Sequence, residues 1–406
     1  MKNDNFINKV FAILLLVLAF AVGQNAWAEE FKGSGTEKAP YIIATKADWD
    51  LLASKSAENS FSDKYFRLDA DIDGVTTMVG DNKDFPFSGK IDGNGHTVTL
   101  DLSRLDDTPA NYTTTNEFLQ GLALIHYGGD GLEIQNLTVD GTITTNCKFA
   151  AGFISYILAG EANARKIIKI TNSRSNVDII SNVDGDGTSA GFVGLSKNYV
   201  DMTFENCVFD GSFNAHYAQQ FSGFVGYQQA SVKTVIERSL FAPQSVDIAA
   251  DDGNHFTFCR YAKPGTDGKM ELKNSYYTTA IGEAQGTPLY KLTLGEGLKA
   301  IRADADTIGN GAAVFYGTDG NNGISIGGEE YYKSGATVHL GCSQGLKISS
   351  VIYTPQGGSA GVAIIDADGT ASFAMPESNT NVMALYGSVA YIDETATSRL
   401  FRIIRC

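Results

Sequence analysis

The sequence predicts an all-β protein: a right-handed parallel β-helix with a short N-terminal capping helix, followed by a small β-rich domain. Three observations carry this. First, an apolar residue, a spacer and an asparagine recur as Ile134-Gln135-Asn136, Ile170-Thr171-Asn172, Phe204-Glu205-Asn206, Ile236-Glu237-Arg238 and Leu272-Lys273-Asn274, the third position advancing by 36, 34, 32 and 36 residues. Second, a glycine marker follows in the middle copies, as Gly152-Phe153-Ile154-Ser155, Gly191-Phe192-Val193-Gly194 and Gly223-Phe224-Val225-Gly226. Third, each repeat is poor in helix formers, rich in Gly, Asn, Ser and Asp, and alternates its apolar residues as half-buried strands do. Self-similarity at a fixed period marks a solenoid, whose repeats bury their apolar faces only against one another.

In chain order, residues 1–28 read as a secretory signal: Lys2 and Lys9, an apolar run from Val10 to Val22, and Ala26-Trp27-Ala28 at the cleavage site. That run is too short to stay as a membrane span, and no cysteine follows the cleavage site, so neither membrane insertion nor a lipoprotein anchor is expected. Export points to a secreted or cell-surface protein. Residues 29–285 form the capped β-helix. Thr45 and Asp48 cap a helix running to Asn59, with Trp49, Leu51, Leu52 and Ala53 on its apolar side, and this helix covers the open end of the coil. Tyr65 to Leu68 and Ala70 to Ile72 alternate as strand, and Phe87 to Val98 reads as strand, tight turn, strand.

Within the repeats, Asn136, Asn172, Asn206 and Asn274 are expected to form a structural ladder at one turn, because a side-chain amide both donates and accepts and asparagine tolerates the left-handed conformation. Arg238 interrupts that column. Val139, Ser175, Phe209, Phe241 and Tyr277 follow three places later, and Ile143, Ile179, Phe213, Ser245 and Ile281 seven places later. Both sets are expected to stack inside the coil. At about 4.8 Å per coil, five coils make a rod about 24 Å long. Gly152, Gly191 and Gly223 are the repeat glycines.

The period is lost after residue 285. Residues 286–328 read as linker, with a short helix around Gly297 to Ala303 and a Gly- and Asn-rich run from Gly309 to Gly328. Asp306-Thr307-Ile308 matches a short O-glycosylation triplet. A small β module spans 329–390, opening at Tyr331-Tyr332 and closing with a strand at Asn381 to Tyr386, its tyrosine pair assigned to packing. The tail is 391–406.

The ordered set GSGT, PYII, ADWDLLA, YFRLDADI, FSGKIDGNGHTV, IQNLTVDG, AGFIS, AGFVG and SGFVG resembles secreted bacterial β-helix proteins that carry GLUG repeats, over residues 33 to 285. Phe192 and Phe224 stand where that family has Leu, and Ser155 replaces one closing glycine. The YY.SG.TV.L opening and FAMPESNTNVMALY close are similar to the bacterial module related to internalin-type B repeats. The first resemblance implies a surface or adhesin-like role with no common catalytic residues to carry over, and the second implies a spacer or interaction module.

The chain has 406 residues and a net charge of −15, and loss of the signal makes this −16. Such acidity argues against nucleic acid and anionic membranes as partners. Five cysteines, at 147, 207, 259, 342 and 406, form no CxxC pair, so zinc and redox motifs are absent. Cys207 reads as a small buried filler and Cys406 as a free thiol.

An enzyme on this scaffold needs two carboxylates facing one bond. Asp251-Asp252 with His255, and Asp184 with Asp186, are the candidates, but they lie in turn-like connections where aspartate caps backbone. Asp140 and Asp210 recur at one repeat position, yet Asn176, Ala242 and Thr278 hold the equivalent places, so no acidic calcium column forms. His96 sits in the tight Asp92–His96 turn. G-x-S-x-G, H-E-x-x-H and phosphate-loop motifs are missing, and no cofactor or metal is expected. The expected function is therefore non-catalytic binding to a glycan or host surface protein, with loops Leu158 to Ala164 and Val183 to Ser189 as contacts. The alternatives are a polysaccharide lyase or hydrolase, and a structural spacer in a surface assembly.

Overall fold

The computed structural model describes residues 31–105, 121–183, 185–215, 218–248, 253–261, 269–301, 323–343 and 346–387. The signal segment, Asp184, Asp251-Asp252, His216, the Asp306 triplet, most of the Gly309–Gly328 run, the 391–406 tail and Cys406 lie outside these residues.

The chain winds into a parallel β-helix with four walls. The first wall is one sheet of eight parallel strands taken in sequence order, from Tyr41–Ile43 through Leu132–Gln135 and Lys166–Thr171 to Lys269–Lys273. The second runs from Ile72–Val75 through Thr138–Thr145 and Arg174–Ser181 to Tyr276–Tyr277 and beyond. The third and fourth have five strands each; Phe149–Ala151 and Gly185–Ala190 belong to the third, Ile154–Ile157 and Val193–Ser196 to the fourth. Strands in such walls are buried on their inner face by the strands opposite, and their neighbours are the same wall one repeat away. Register follows the sequence period directly: Ile134, Ile170, Phe204, Ile236 and Leu272 are successive partners on the first wall, and Val139, Ser175, Phe209, Phe241 and Tyr277 on the second.

One stacked position differs from expectation. Ile143, Ile179 and Phe213 are partners, but the next member is Val246, with Ser245 opposite Ser212. The second wall breaks between Val208–Phe209 and Ser212–Ala215, and again between Leu240–Phe241 and Ser245–Ile248; the later break is one residue longer, which shifts the inward position by one. The Asp92–His96 turn also differs. It is a corner between the first and second walls, because Lys90–Asp92 and Thr97–Arg104 belong to different sheets.

Helix α1 (Lys46–Ser56) is shorter than the sequence suggested, and its cap is reciprocal. The Asp48 amide donates to Thr45 Oγ1 at 3.2 Å, while Asp48 Oδ2 accepts from the Ala44 amide at 3.0 Å. Trp49 and Leu52 are fully buried in one continuous core with Ile43, Leu68 and Ile72, and Trp49 Nε1 donates to the Thr77 carbonyl at 3.3 Å. The helix thus covers the first coil with apolar side chains.

The first-to-second-wall corner requires a left-handed residue in every repeat. Asn136, Asn172, Asn206, Arg238 and Asn274 have φ of 53, 47, 58, 47 and 46°. Three of the amides are chained: Asn172 Nδ2 donates to Asn136 Oδ1 at 3.3 Å, and Asn206 Nδ2 to Asn172 Oδ1 at 2.9 Å. The lower end is an aspartate, since Asn136 Nδ2 donates to Asp92 Oδ1 at 2.9 Å. Asn274 shares the conformation but not the amide chain, because Arg238 intervenes and its guanidinium bonds Glu205 and Glu237 instead. Asn206 Oδ1 is consequently buried with no hydrogen-bond partner.

Asn172→Ala is expected to cost about 2–3 kcal/mol, from two amide bonds and a left-handed conformation that alanine disfavours. Asn172→Gly should recover about 1 kcal/mol of that, the conformational part alone. Equal losses for the two variants in denaturant titration would contradict this division.

Behind the amides lies a second column, the small-residue position that holds Cys207, and its hydroxyls are hydrogen-bonded from coil to coil. Ser173 Oγ accepts from the Leu137 amide at 3.3 Å, Ser239 Oγ from Cys207 at 3.1 Å, and Ser275 Oγ from Ser239 at 3.4 Å, each hydroxyl also donating to a nearby carbonyl. Serine immediately follows the corner residue in three repeats. Cys207 occupies this column, its Sγ donating to the Ile170 carbonyl at 3.4 Å, and burial pushes its thiol up to about 12. Cys259 is shifted up by the same cause. Because the protonated thiols are the favoured buried form, iodoacetamide near pH 8 should label neither residue in the native protein and both after unfolding. Peptide mapping showing either modified under native conditions would contradict their burial.

The stretch expected to be linker begins with two strands. Thr287–Leu294 pairs in parallel with Tyr276–Tyr277 through its first two residues and with Thr380–Gly387 through its last three. It also pairs antiparallel with Glu329–Lys333. The segment expected to be helical around Gly297 is the strand Leu298–Ile301, antiparallel to Thr337–Cys342; four residues gain more from ladder bonds than from an unnucleated helical turn. Thr337–Cys342 also pairs with Ala371–Ala374. The module has its own core of Tyr332, Val338, Leu340, Val351, Phe373 and Val382. Tyr332 is interior, and Tyr331 packs beside it against a small cluster containing Leu289 and Ile324.

Candidate functional site

The repeat glycines shape both sides of the third-to-fourth-wall corner. A Cβ on Gly152, Gly191 or Gly223 would stand 2.5, 2.3 and 2.3 Å from the carbonyl oxygen of Gly191, Gly223 and Thr257 respectively. These positions therefore admit no side chain, and the coils stack through them. The next residue turns inward. Phe153, Phe192, Phe224 and Phe258 form a column with centroids 4.9, 4.7 and 5.1 Å apart.

The closing glycines act on the outside. There the third and fourth walls meet at a concave angle, so side chains on the two outer faces approach each other. A Cβ on Gly194 would stand 2.6 Å from the Ser155 carbonyl oxygen of the neighbouring coil and 3.3 Å from Phe149 Cβ, and one on Gly226 would stand 2.6 Å from Thr188 Cγ2 and 2.7 Å from the Gly194 carbonyl oxygen. The serine at 155 is admitted by a compensating glycine, since a Cβ on Gly121 would lie 2.4 Å from Ser155 Oγ. Small and large residues thus alternate across the angle, leaving a groove along the rod.

Aromatic residues form one end of this groove. Tyr127, Tyr156, Leu195 and Tyr227 are successive partners on the fourth wall, and Phe149 on the third wall meets Tyr156 edge-on at 5.8 Å. These residues form an apolar cluster separate from the main core, which Leu158 also joins. The open part, about 290 Å³, is lined by Phe149, Leu195 and Tyr227 together with Lys148, Asp186, Thr188, Lys197, Gln220, Gln229 and Arg260. Its polar groups are held by one another. Lys148 Nζ and Gln220 Nε2 donate to the two oxygens of Asp186 at 2.5 and 2.7 Å. Gln220 Oε1 accepts from Thr188 Oγ1 at 2.8 Å and from the Arg260 guanidinium at 2.6 Å. Arg260 also donates to Asn254 Oδ1 at 2.9 Å and lies over the Tyr227 ring, 4.6 Å from its centroid. Gln229 Oε1 accepts from the Asn198 amide at 3.0 Å.

Among the described residues, the candidate catalytic groups do not gather here. Among the described residues, Asp186 is the single carboxylate lining the groove. Val183 to Ser189, expected to be a free loop, is mostly the strand Gly185–Ala190, paired on both sides by Phe149–Ala151 and Ala218–Ser222. His255 is buried on the third wall. Asp210 lies on the second wall in a bidentate pair with Arg174 at 2.7 and 2.5 Å, and Asp140 accepts from the Gly141 amide. His96 Nδ1 sits 3.2 Å from Asp71 in its exposed corner. Among the described residues, no group of three or more His, Cys, Asp or Glu side chains converges as a metal site would require, and no helix is long and apolar enough to cross a membrane.

A second hollow lies near the first coils, bordered by Tyr65, Arg67, Lys90, Asp92 and Glu133. Its charges are equal in number and partly neutralised within the protein, as in the Lys90–Glu133 pair at 2.7 Å. Its Tyr65 ring carries Lys90 Nζ at 5.3 Å from the centroid.

No protein-family model matches the chain. The chain is 29% identical over 147 residues to halomucin of Haloquadratum walsbyi, a match that spans 29% of this chain and 2% of that protein. Among solved structures it is similar to a Bacteroides ovatus protein described as a "putative immunoglobulin A1 protease", at 16% identity and a TM-score of 0.36, over 60% of this chain and 86% of that one.

Proposed function

We propose that this is an exported, non-catalytic surface protein that binds glycan along the groove between the third and fourth walls. The observation that supports it is the lining itself: the half-buried Tyr227 ring beside planar, pre-positioned amide and guanidinium groups from Gln220, Gln229 and Arg260. Sugar rings present apolar C–H faces flanked by hydroxyls, and such a surface offers a partner to each at once. Because the amides are already hydrogen-bonded in place, little ordering is needed on binding. The GLUG and internalin-type resemblances agree with this reading in kind.

A hydrolase or lyase would need a second carboxylate across the groove from Asp186. Among the described residues, the lining there is Leu195, Lys197, Tyr227 and Gln229.

The test is a glycan array probed with the chain from residue 29 onward. Retention without cleavage is expected, and Tyr227→Ala should weaken it about tenfold or more, as loss of a central aromatic anchor does. Shortened oligosaccharide products would replace this proposal with the hydrolase or lyase reading. Absence of retention, with co-purification in a surface complex, would favour the spacer.

A further inference from the structure

We propose that the tail of this chain folds back over the C-terminal module, with Leu400 to Ile404 lying as a strand against the outer face of its sheet. That face is apolar and bare. The strands Thr380–Gly387, Lys347–Pro355 and Gly361–Val362 are successive neighbours in the sheet, and Met383, Ile352 and Val362 are partners in one row across them. Leu385, opposite Ser350, and Ile364, two residues beyond Val362, extend the row along the strands. In the order named, these five side chains are 73, 46, 70, 68 and 70% exposed. The opposite face of the same segments carries Val351, Val382 and Ala363, all buried in the module's core. An antiparallel sheet with one face in water alternates apolar with polar residues, whereas strands apolar on both faces belong between two layers. An exposed apolar patch of this kind marks a contact surface.

The tail has the composition and the reach to supply the second layer. Four of the five residues from Leu400 to Ile404 are apolar, and twelve residues, Ser388 to Arg399, separate them from Gly387, the end of the strand that bears Met383 and Leu385. Twelve residues reach at most about 40 Å, several times the spacing of about 10 Å between stacked sheets. A tether of that length holds the segment at an effective concentration on the order of millimolar, which places it ahead of a second copy of the chain at ordinary working concentrations. As a strand, the segment presents Phe401 and Ile403 on one side, with Arg399 and Arg405 beyond them on that same side. The five residues extend about 17 Å, so the two apolar side chains lie over the patch while the arginines reach past it into water.

The arginines make this docking readable by trypsin. In the protein from residue 29 onward, release of residues 403–406 by cleavage after Arg402 should be slow, because a docked bond is cut only from the open form. Met383→Ser combined with Leu385→Ser removes two of the apolar contacts and should speed that release about tenfold. Cleavage after Lys333 and Lys347, which lie in the module's strands, should be unchanged, showing that the fold is intact. A second arm leaves the face unaltered: Phe401→benzoylphenylalanine should form a photocrosslink, within one chain, to a peptide containing Ile352, Val362, Met383 or Leu385. If the serine substitutions also speed cleavage after Lys333, the crosslink alone decides. Release after Arg402 that is fast in the unaltered protein, or unmoved by the serine substitutions, would overturn the proposal. Absence of the crosslink to the face would do the same, and crosslinks between two chains would assign the face to association between copies instead.

Discussion

Phe192→Ala should lower the unfolding free energy by about 3–5 kcal/mol, the range for removing a fully buried phenylalanine. Phe192 has no exposed surface and touches rings on three sides: Phe153 below, Phe224 above, and Phe204 edge-on at 5.7 Å. Its neighbours are fixed by strand pairing at both corners, so they cannot close over the cavity. Phe192→Leu is the informative companion. Leu124 occupies the equivalent corner in the coil below Phe153, since it precedes Ile125, the register partner of Ile154. That substitution is expected to cost under about 1.5 kcal/mol. A denaturant series in which alanine and leucine cost the same would show that the column contributes no packing of its own.

Gly191→Ala should cost about 3 kcal/mol or more, although it adds only one methyl group. The new Cβ would meet the Gly223 carbonyl oxygen at 2.3 Å and the Phe209 ring at 2.5 Å. Relief requires moving one coil away from the next, which stretches the 3.0 Å bond from the Gly191 amide to that same carbonyl and adds a hydrogen-bond loss to the overpacking. Gly185→Ala is the control, since its Cβ would meet nothing within 4 Å; its cost comes from the positive φ of 98° alone. If Gly191→Ala is no worse than this control, contact between coils at the corner is looser than the geometry requires.

The parts of the fold that were legible in the sequence are those where one physical requirement repeats. A left-handed corner in every turn selects Asn136, Asn172, Asn206 and Asn274, and a corner without room for a Cβ selects Gly152, Gly191 and Gly223. Strand register on the first wall follows from these spacings. What repetition could not supply was anything that depended on an interruption. The extra residue before Ser245 displaced the stack by one, and the substitution at Arg238 removed Asn274 from the amide chain. The strands at Thr287–Leu294 and Leu298–Ile301 escaped notice because their partners lie up to about ninety residues away, where no local period can announce them.

The groove was illegible for a different reason. Its walls come from alternate positions on two sheets across four coils, and sequence periodicity identifies the inward face of a strand while leaving the outward face unconstrained. The closing glycines, Gly194 and Gly226, were visible as motif members. Their effect, which is to bring Phe149 and Thr188 close across an outer angle, follows only from the corner's shape.

The strand Thr287–Leu294 is shared between the last coil and the C-terminal module, and this governs how the molecule bears a load. Tension applied at the module enters the rod through the backbone bonds at Thr287 and Pro288 and the Tyr276–Tyr277 strand beside them. It reaches the walls as shear along paired strands rather than as stretching of a slack tether. A molecule built this way transmits a pull on its far end without first paying out chain.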